Sequence, residues 1–237
     1  KQVNDRLTRK RSTIMQDEDE DEVEEYLVFS RPIEWLGNEY KPVDIAFQLS
    51  PATEEEEEFI ETADEKRLFV LFPTEQETKM GFLINGPYQT PPNRENIENA
   101  LDNQFNDHLI KETCKLACES LPEIRDIGLL DIRCLETLPI DIDDFPEDDR
   151  FRPMFDKVRK TLKTGELLPT ENGSHVAGQN AKLARGKDLV GLLSNDQLTN
   201  LFKSGHPLEW LTTEITGDKT PELYRYLLGK RRGYYSN

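Results

Sequence analysis

Apolar and polar positions along this chain repeat with two different periods, and the changes of period mark its elements. In YLVFSRPIEW (26–35) and KPVDIAFQLS (41–50) apolar residues recur at roughly every second position. The turn formers Gly37 and Asn38 stand between them, so the two stretches predict a β-hairpin. RLFVLFPTE (67–75) and GFLINGPY (81–88) predict a second pair of strands joined by QETKM (76–80), and the unbroken apolar run RLFVLF predicts a strand covered on both faces. In QFNDHLIKETCKLACESL (104–121), Phe105, Leu109, Leu116, Ala117 and Leu121 fall close to helical spacing and predict an amphipathic helix. IGLLDIRCLETLPI (127–140) then reads as one more strand. Four strands, a long helix and a strand give an α/β (α+β) fold class: a mixed sheet with a long helix packed on it.

After DIDDFPEDD (141–149) the pattern changes. FRPMFDKVRKTL (151–162) predicts a helix, and LLPTENGSHVAG (167–178) a hairpin with Asn172 and Gly173 at its turn. KDLVGLLSNDQLTNLF (187–202) and PELYRYLLGK (221–230) predict further helices, with Ser194 or Asn195 as a cap inside the former. At the other end, residues 1–15 read as the end of a polar helix. They run into QDEDEDEVEE (16–25), whose like charges favour an extended, solvated linker. The expected organisation is therefore a helical tail and acidic linker over 1–24, an α/β domain over 25–145, and a smaller helix-rich unit with a hairpin over 146–237.

Charge narrows the function classes. A formal net charge of -17 over 237 residues argues against direct nucleic-acid binding and against an anionic membrane surface. No apolar run has the length of a membrane span, and the three cysteines, Cys114, Cys118 and Cys134, are an odd count in core-like contexts. A reducing, cytoplasmic location is the expectation. The basic start KQVNDRLTRKR carries no initiator methionine and leads into acid rather than into a signal-peptide core, so the chain is expected to be a fragment or processed product of a longer protein.

One positive charge stands out against this background. In GPYQTPPNRENI (86–97), Pro87, Pro91 and Pro92 fix φ and restrict the residues before them, so the chain from Gly86 to Asn93 has few ways to move. Asn93 is placed as an N-cap, which makes Arg94 an early residue of a helix, where the helix dipole mildly opposes a cation by about 0.3–1 kcal/mol. A functional role for Arg94 and a structural pairing with Glu95 or Glu98 both remain open on residue chemistry.

GPYQTPPNRENI (86–97), followed by a helix carrying LIKETCKLACESL (109–121), resembles the middle domain of the heat-shock-ninety chaperone family, sharing Asn93-Arg94-Glu95 with Asn in place of the family's Ser. The longer run FVLFPTEQETKMGFLINGPYQTPPNREN, with ELLPTENGSHVAGQNAKLARG and WLTTEITGDKTPEL, looks closer to proteins with sacsin-type ATPase modules of the gyrase, heat-shock-ninety, histidine kinase and MutL (GHKL) superfamily. The likeness covers roughly residues 20–228. It implies that Arg94 reaches in trans to the γ-phosphate of ATP on a separate N-terminal lobe, with Asn93 beside it. By analogy with the loop lysine of MutL-type transducers, it makes Lys79 a second phosphate contact, against a plain solvated turn lysine. ATP and Mg would then be bound through that other lobe, and none by this chain alone. The implied partners are the chain's own ATP-binding lobe and a protein client or downstream domains, and a homodimer is open. The alternative is a non-catalytic interaction scaffold with the same fold.

Other constellations carry less. Glu95, Asn99 and Asp102 mimic the E-x-x-x-N-x-x-D pattern of a nucleotide site, but DIGLL offers Asp126 and Gly128 with Leu130 where a second glycine belongs, and no glycine-rich lid follows. DIDDFPEDD lacks the spacing of a calcium loop. Glu77 and Lys79 form an E-x-K pair without a placed aspartate, a weak nuclease signal. Cys114 and Cys118 share a helical face without a second ligand pair for zinc, and His108, His175 and His206 stand apart with no nucleophile motif. Arg185 reads as paired with an acidic neighbour. Trp210 and Tyr224 read as core of the second unit.

Overall fold

The computed structural model describes residues 7–15, 21–54, 56–92, 97, 103–184 and 186–229. Seven strands form one mixed sheet: β1 (Leu7–Met15), β2 (Asp21–Trp35), β3 (Asn38–Ser50), β4 (Phe59–Glu61), β5 (Arg67–Val70), β6 (Phe72–Glu77) and β7 (Leu83–Asn85). Their order is β1-β2-β3-β7-β5-β6, with β4 also paired to β3. All pairings are antiparallel except β5 with β7. The fold is α+β, as the alternation of periods predicts.

Strand β3 shows why the sheet has one dry face. Val43, Ile45, Phe47 and Leu49 are buried while the residues between them are not, the period-two pattern of a half-covered strand. On β2, Leu27, Phe29 and Ile33 are buried with them, and Phe29 meets Phe47 edge to face with ring centroids 6.2 Å apart. Helix α1 (Gln104–Asp126) covers this face with Leu109, Thr113, Leu116, Ala117, Ser120, Leu121 and Ile124 buried. Arg31 of β2 fastens the two layers at their edge by pairing with Glu112, at 3.2 Å, and with Glu119 of the helix.

Beyond α1 lie α2 (Ile132–Glu136), α3 (Arg152–Thr164), a hairpin of β8 (Glu166–Pro169) and β9 (His175–Ala177), and a 3-10 turn at Gly178–Asn180. The chain continues through β10 (Ala181–Lys182), α4 (Lys187–Leu192), α5 (Asn195–Leu201), β11 (Glu209–Trp210) and α6 (Pro221–Leu228). Ser194 caps α5 in a reciprocal capping box with Gln197. Gly173, at φ 82°, turns the β8–β9 hairpin.

Four expectations change. Residues 7–15 form a strand rather than a helix, paired residue for residue with β2 from Leu7↔Phe29 to Met15↔Asp21. The long edge of β2 supplies their backbone partners. Residues 21–25 of the acidic run likewise belong to β2 rather than to a linker. RLFVLF is not a strand covered on both faces: Leu71, at φ 69°, reverses the chain, so Leu68 is buried while Leu71 and Phe72 are 68% and 60% exposed. Residues 127–140 hold no strand; Gly128, at φ 83°, follows the end of α1, and Asp131 caps the short α2 by accepting from the Cys134 amide at 2.9 Å. One contiguous apolar cluster runs from Leu7 through α1 to Phe145, Phe155, Leu162, Leu168, Leu211 and Leu223. A small satellite forms around Leu198, Leu208 and Trp210, whereas Tyr224 packs on the main core.

Candidate functional site

Asn93 and Arg94 lie outside the described residues, as do Glu95, Asn99, Asp102 and Arg185. On either side of Arg94, the residues up to Pro92 and Ile97 are described, and several of them are held by named contacts. Gly86 sits where an added Cβ would come within 2.8 Å of the Tyr88 ring and 3.0 Å of Val43, so glycine lets the strand end pass close to β3. The Tyr88 hydroxyl is 2.7 Å from Thr113 Oγ1, and because Thr113 spends its one proton on the Leu109 carbonyl at 2.8 Å, Tyr88 is the donor. Burial pushes the Tyr88 phenol well above its ordinary pKa.

Next comes an amide clamp. The fully buried Asn106 accepts from the Gln89 backbone N–H at 2.8 Å and donates to the Gln89 carbonyl at 2.9 Å, reproducing with one side chain the pairing of a strand. Asn103, the N-cap of α1, accepts from the Asn106 amide at 3.0 Å and donates to Gln89 Oε1 at 2.5 Å. On the far side of Arg94, Ile97 is 1% exposed, and its carbonyl accepts from the Arg150 guanidinium. The described helix starts at Gln104, ten residues after Arg94.

Lys79 sits in the loop after β6, at φ 60°, a left-handed conformation that costs a lysine strain. The loop is pinned from both sides: the Thr78 amide donates to the Lys66 carbonyl at 2.7 Å, and the Gly81 amide to the Thr137 carbonyl at 2.8 Å. The Lys79 ammonium lies 2.7 Å from Asp149 Oδ2 and 2.7 Å from the Asp144 carbonyl, with the Phe145 ring centroid at 5.9 Å. Its partner Asp149 is next in sequence to Arg150, the residue that holds Ile97. The fold thus ties the Lys79 loop and the Arg94 segment to one short stretch, 144–150. In this arrangement the Lys79 charge is already matched by a carboxylate.

The remaining candidates have structural surroundings. Glu77 is exposed at the end of β6, opposite Arg67, whose guanidinium grips Glu65 at 2.5–2.9 Å. Asp141 and Asp144 come together with Glu222, but Arg225 neutralises Asp141 at 2.7 Å. Cys114, Cys118 and Cys134 are buried free thiols, raised by burial, Cys114 to about 12; they pack and do not react. His108 lies against the Trp35 ring at 4.8 Å, and His175 Nε2 is 2.9 Å from the Leu130 carbonyl.

Sequence reasoning passed over Asn103, Asn106, Asp149 and Arg150. Two asparagines three residues apart at the head of an apolar helical pattern were the available signal for the first pair. For Asp149 and Arg150, embedded in an acidic run, there was none. Comparison with known proteins finds no match: no family model, no curated protein and no solved structure is significantly similar to this chain.

Proposed function

We propose that this chain is the transducer segment of an ATP-dependent, chaperone-like GHKL ATPase, and that it presents Arg94 to the γ-phosphate of ATP held by a separate lobe. The observation that carries this reading is the anchoring of both flanks of the Arg94 segment, Gln89 by Asn106 and Asn103, and Ile97 by Arg150. A guanidinium held in place before the nucleotide arrives needs little reorganisation as charge develops on the transferring phosphoryl group, and an arginine so used can be worth about 10³–10⁵ in rate. Asn93 lies beside it. Lys79 is the second phosphate contact in this reading, exchanging Asp149 for phosphate when the lobes close. Such closure is driven by contacts made only in the closed state.

ATP and Mg enter through the other lobe, and a client protein or further domains receive the movement, in a cytoplasmic setting. No helix among the described residues is long and apolar enough to cross a membrane. The test is Arg94→Ala in the protein that joins this segment to its nucleotide lobe. ATP affinity stays within about twofold while turnover falls by at least about tenfold. Turnover at the wild-type rate removes Arg94 from the mechanism.

A further inference from the structure

The groove between α3 and α6 has the opposite sign from the chain as a whole. It encloses about 450 Å³ and is lined by Arg159, Lys160 and Lys163 of α3, by Gly178 and Gln179 of the 3-10 turn, and by Tyr226 of α6. The one carboxylate on its wall, Asp156, is engaged by Arg152 at 3.2 Å. Among the described residues, Arg159, Lys160 and Lys163 have no carboxylate partner, although acidic residues outnumber basic ones 47 to 30 in this chain.

Arg159 is also held in place. Its guanidinium lies 5.0 Å from the Phe155 ring centroid and 5.3 Å from that of Tyr226, and the Tyr226 hydroxyl donates to the Arg159 carbonyl at 3.3 Å. A guanidinium held by two rings keeps its N–H edge for another acceptor. The dipole of α3 accounts for a lysine in the last turn, Lys163, but not for Arg159 one turn earlier. Gly178 brings the turn close against the helix: a Cβ there would meet the Leu162 carbonyl at 3.0 Å.

We infer that this groove is a binding site for an oligophosphate, the phosphate chain of a nucleotide or an inorganic polyphosphate. Arg159 and Lys163 are separated by about 6 Å along the helix axis, a spacing that lets the three cations contact successive phosphate groups at once. The site is separate from the Arg94 region, since Arg150 precedes α3 whereas Lys163 lies in its last turn, about 20 Å further along.

The experiment is calorimetric titration of this chain, without magnesium, with tripolyphosphate and with ATP. The expected result is saturable binding of tripolyphosphate that the exposed pair Lys160→Glu/Lys163→Glu weakens by at least about tenfold, while Lys41→Glu/Lys66→Glu, with the same change of net charge on β3 and just before β5, alters it by less than about twofold. ATP binding at least about tenfold tighter than tripolyphosphate identifies a nucleotide; equal affinity identifies the phosphate chain alone, and both support the site. Absence of saturable binding to the wild type, or equal losses in the two double variants, overturns it. Arg94→Ala leaves this binding unchanged, so the result stands or falls independently of the proposed ATPase role.

Discussion

Asp149 and Arg150, neighbours in the chain, grip two segments far apart in sequence. Asp149 accepts from the Lys79 ammonium at 2.7 Å, and the Arg150 guanidinium donates to the carbonyl of Ile97, three residues past Arg94. Asp149 also accepts from the Phe151 amide at 2.8 Å, where α3 begins. Removing Asp149 therefore strips a helix start of its acceptor as well as breaking an ion pair. Asp149→Ala is expected to cost about 1–3 kcal/mol in urea unfolding. Lys79→Ala should cost under about 1 kcal/mol, because the Lys79 side chain is 37% exposed and solvent replaces its partner. Equal costs for the two variants would show that the pair with Lys79 is all that Asp149 provides.

The amide clamp makes a sharper demand. Asn106→Ala leaves both the N–H and the C=O of Gln89 without their partner at a part-buried position, and each loss is worth about 1–2 kcal/mol. The expected destabilisation is about 2–4 kcal/mol. Trypsin offers a local readout at Arg94 itself: freeing Gln89 should speed cleavage after Arg94 by more than the global loss of stability accounts for. Cleavage that tracks global stability alone would mean that the ramp is held by its prolines and Tyr88, not by Asn106.

Legibility in the sequence followed the range of the forces involved. Helix α1, α3, the β2–β3 and β8–β9 hairpins and the Ser194 cap are set by local periodicity and short-range turn chemistry, and they are where those signals put them. The strand at Leu7–Met15 is set by pairing with β2, which local composition does not encode. The reversal at Leu71 hides inside an apolar run, because nothing about leucine announces a positive φ. The contacts around the candidate site divide the same way. Pro87, Pro91 and Pro92 are read directly from the chain, whereas Asp149 and Arg150 act across 70 and 53 residues of chain and leave no local sign.

The β2–β3 turn gives a prediction of stabilisation. Trp35 pairs with Asn38, so Leu36 and Gly37 form a two-residue turn, both at positive φ, 50° and 79°. Leu36 is 84% exposed and contributes little packing. Leu36→Asn would place Asn-Gly in a turn that favours it and should stabilise the protein by about 0.5–1 kcal/mol. A thermal midpoint that does not rise would indicate that the hairpin is not closed by this turn in solution.

Two half-buried glutamates, Glu112 and Glu136, should give stability profiles of opposite slope. Burial works against the charge of Glu112, but Lys115 and Arg31 outweigh it and hold its carboxyl below the ordinary value of 4.5. The folded state therefore favours ionised Glu112, and its contribution, present above 4.5, is lost as pH falls through the lowered folded value. Glu136 is the reverse. Burial raises its carboxyl above 4.5, and the Leu223 amide, donating at 2.9 Å, only partly offsets this. The fold favours its protonated form, so its contribution is complete below 4.5 and is lost as pH rises through the raised value. Gln at position 136 can still accept from Leu223 but carries no charge to bury. Glu136→Gln should therefore be more stable than the wild type at about pH 7, and Glu112→Gln less stable, with both differences shrinking toward about pH 3. Urea unfolding at several pH values reads both at once. Differences of the same sign, or independent of pH, would show that these carboxyls do not meet the burial and partners that the fold gives them.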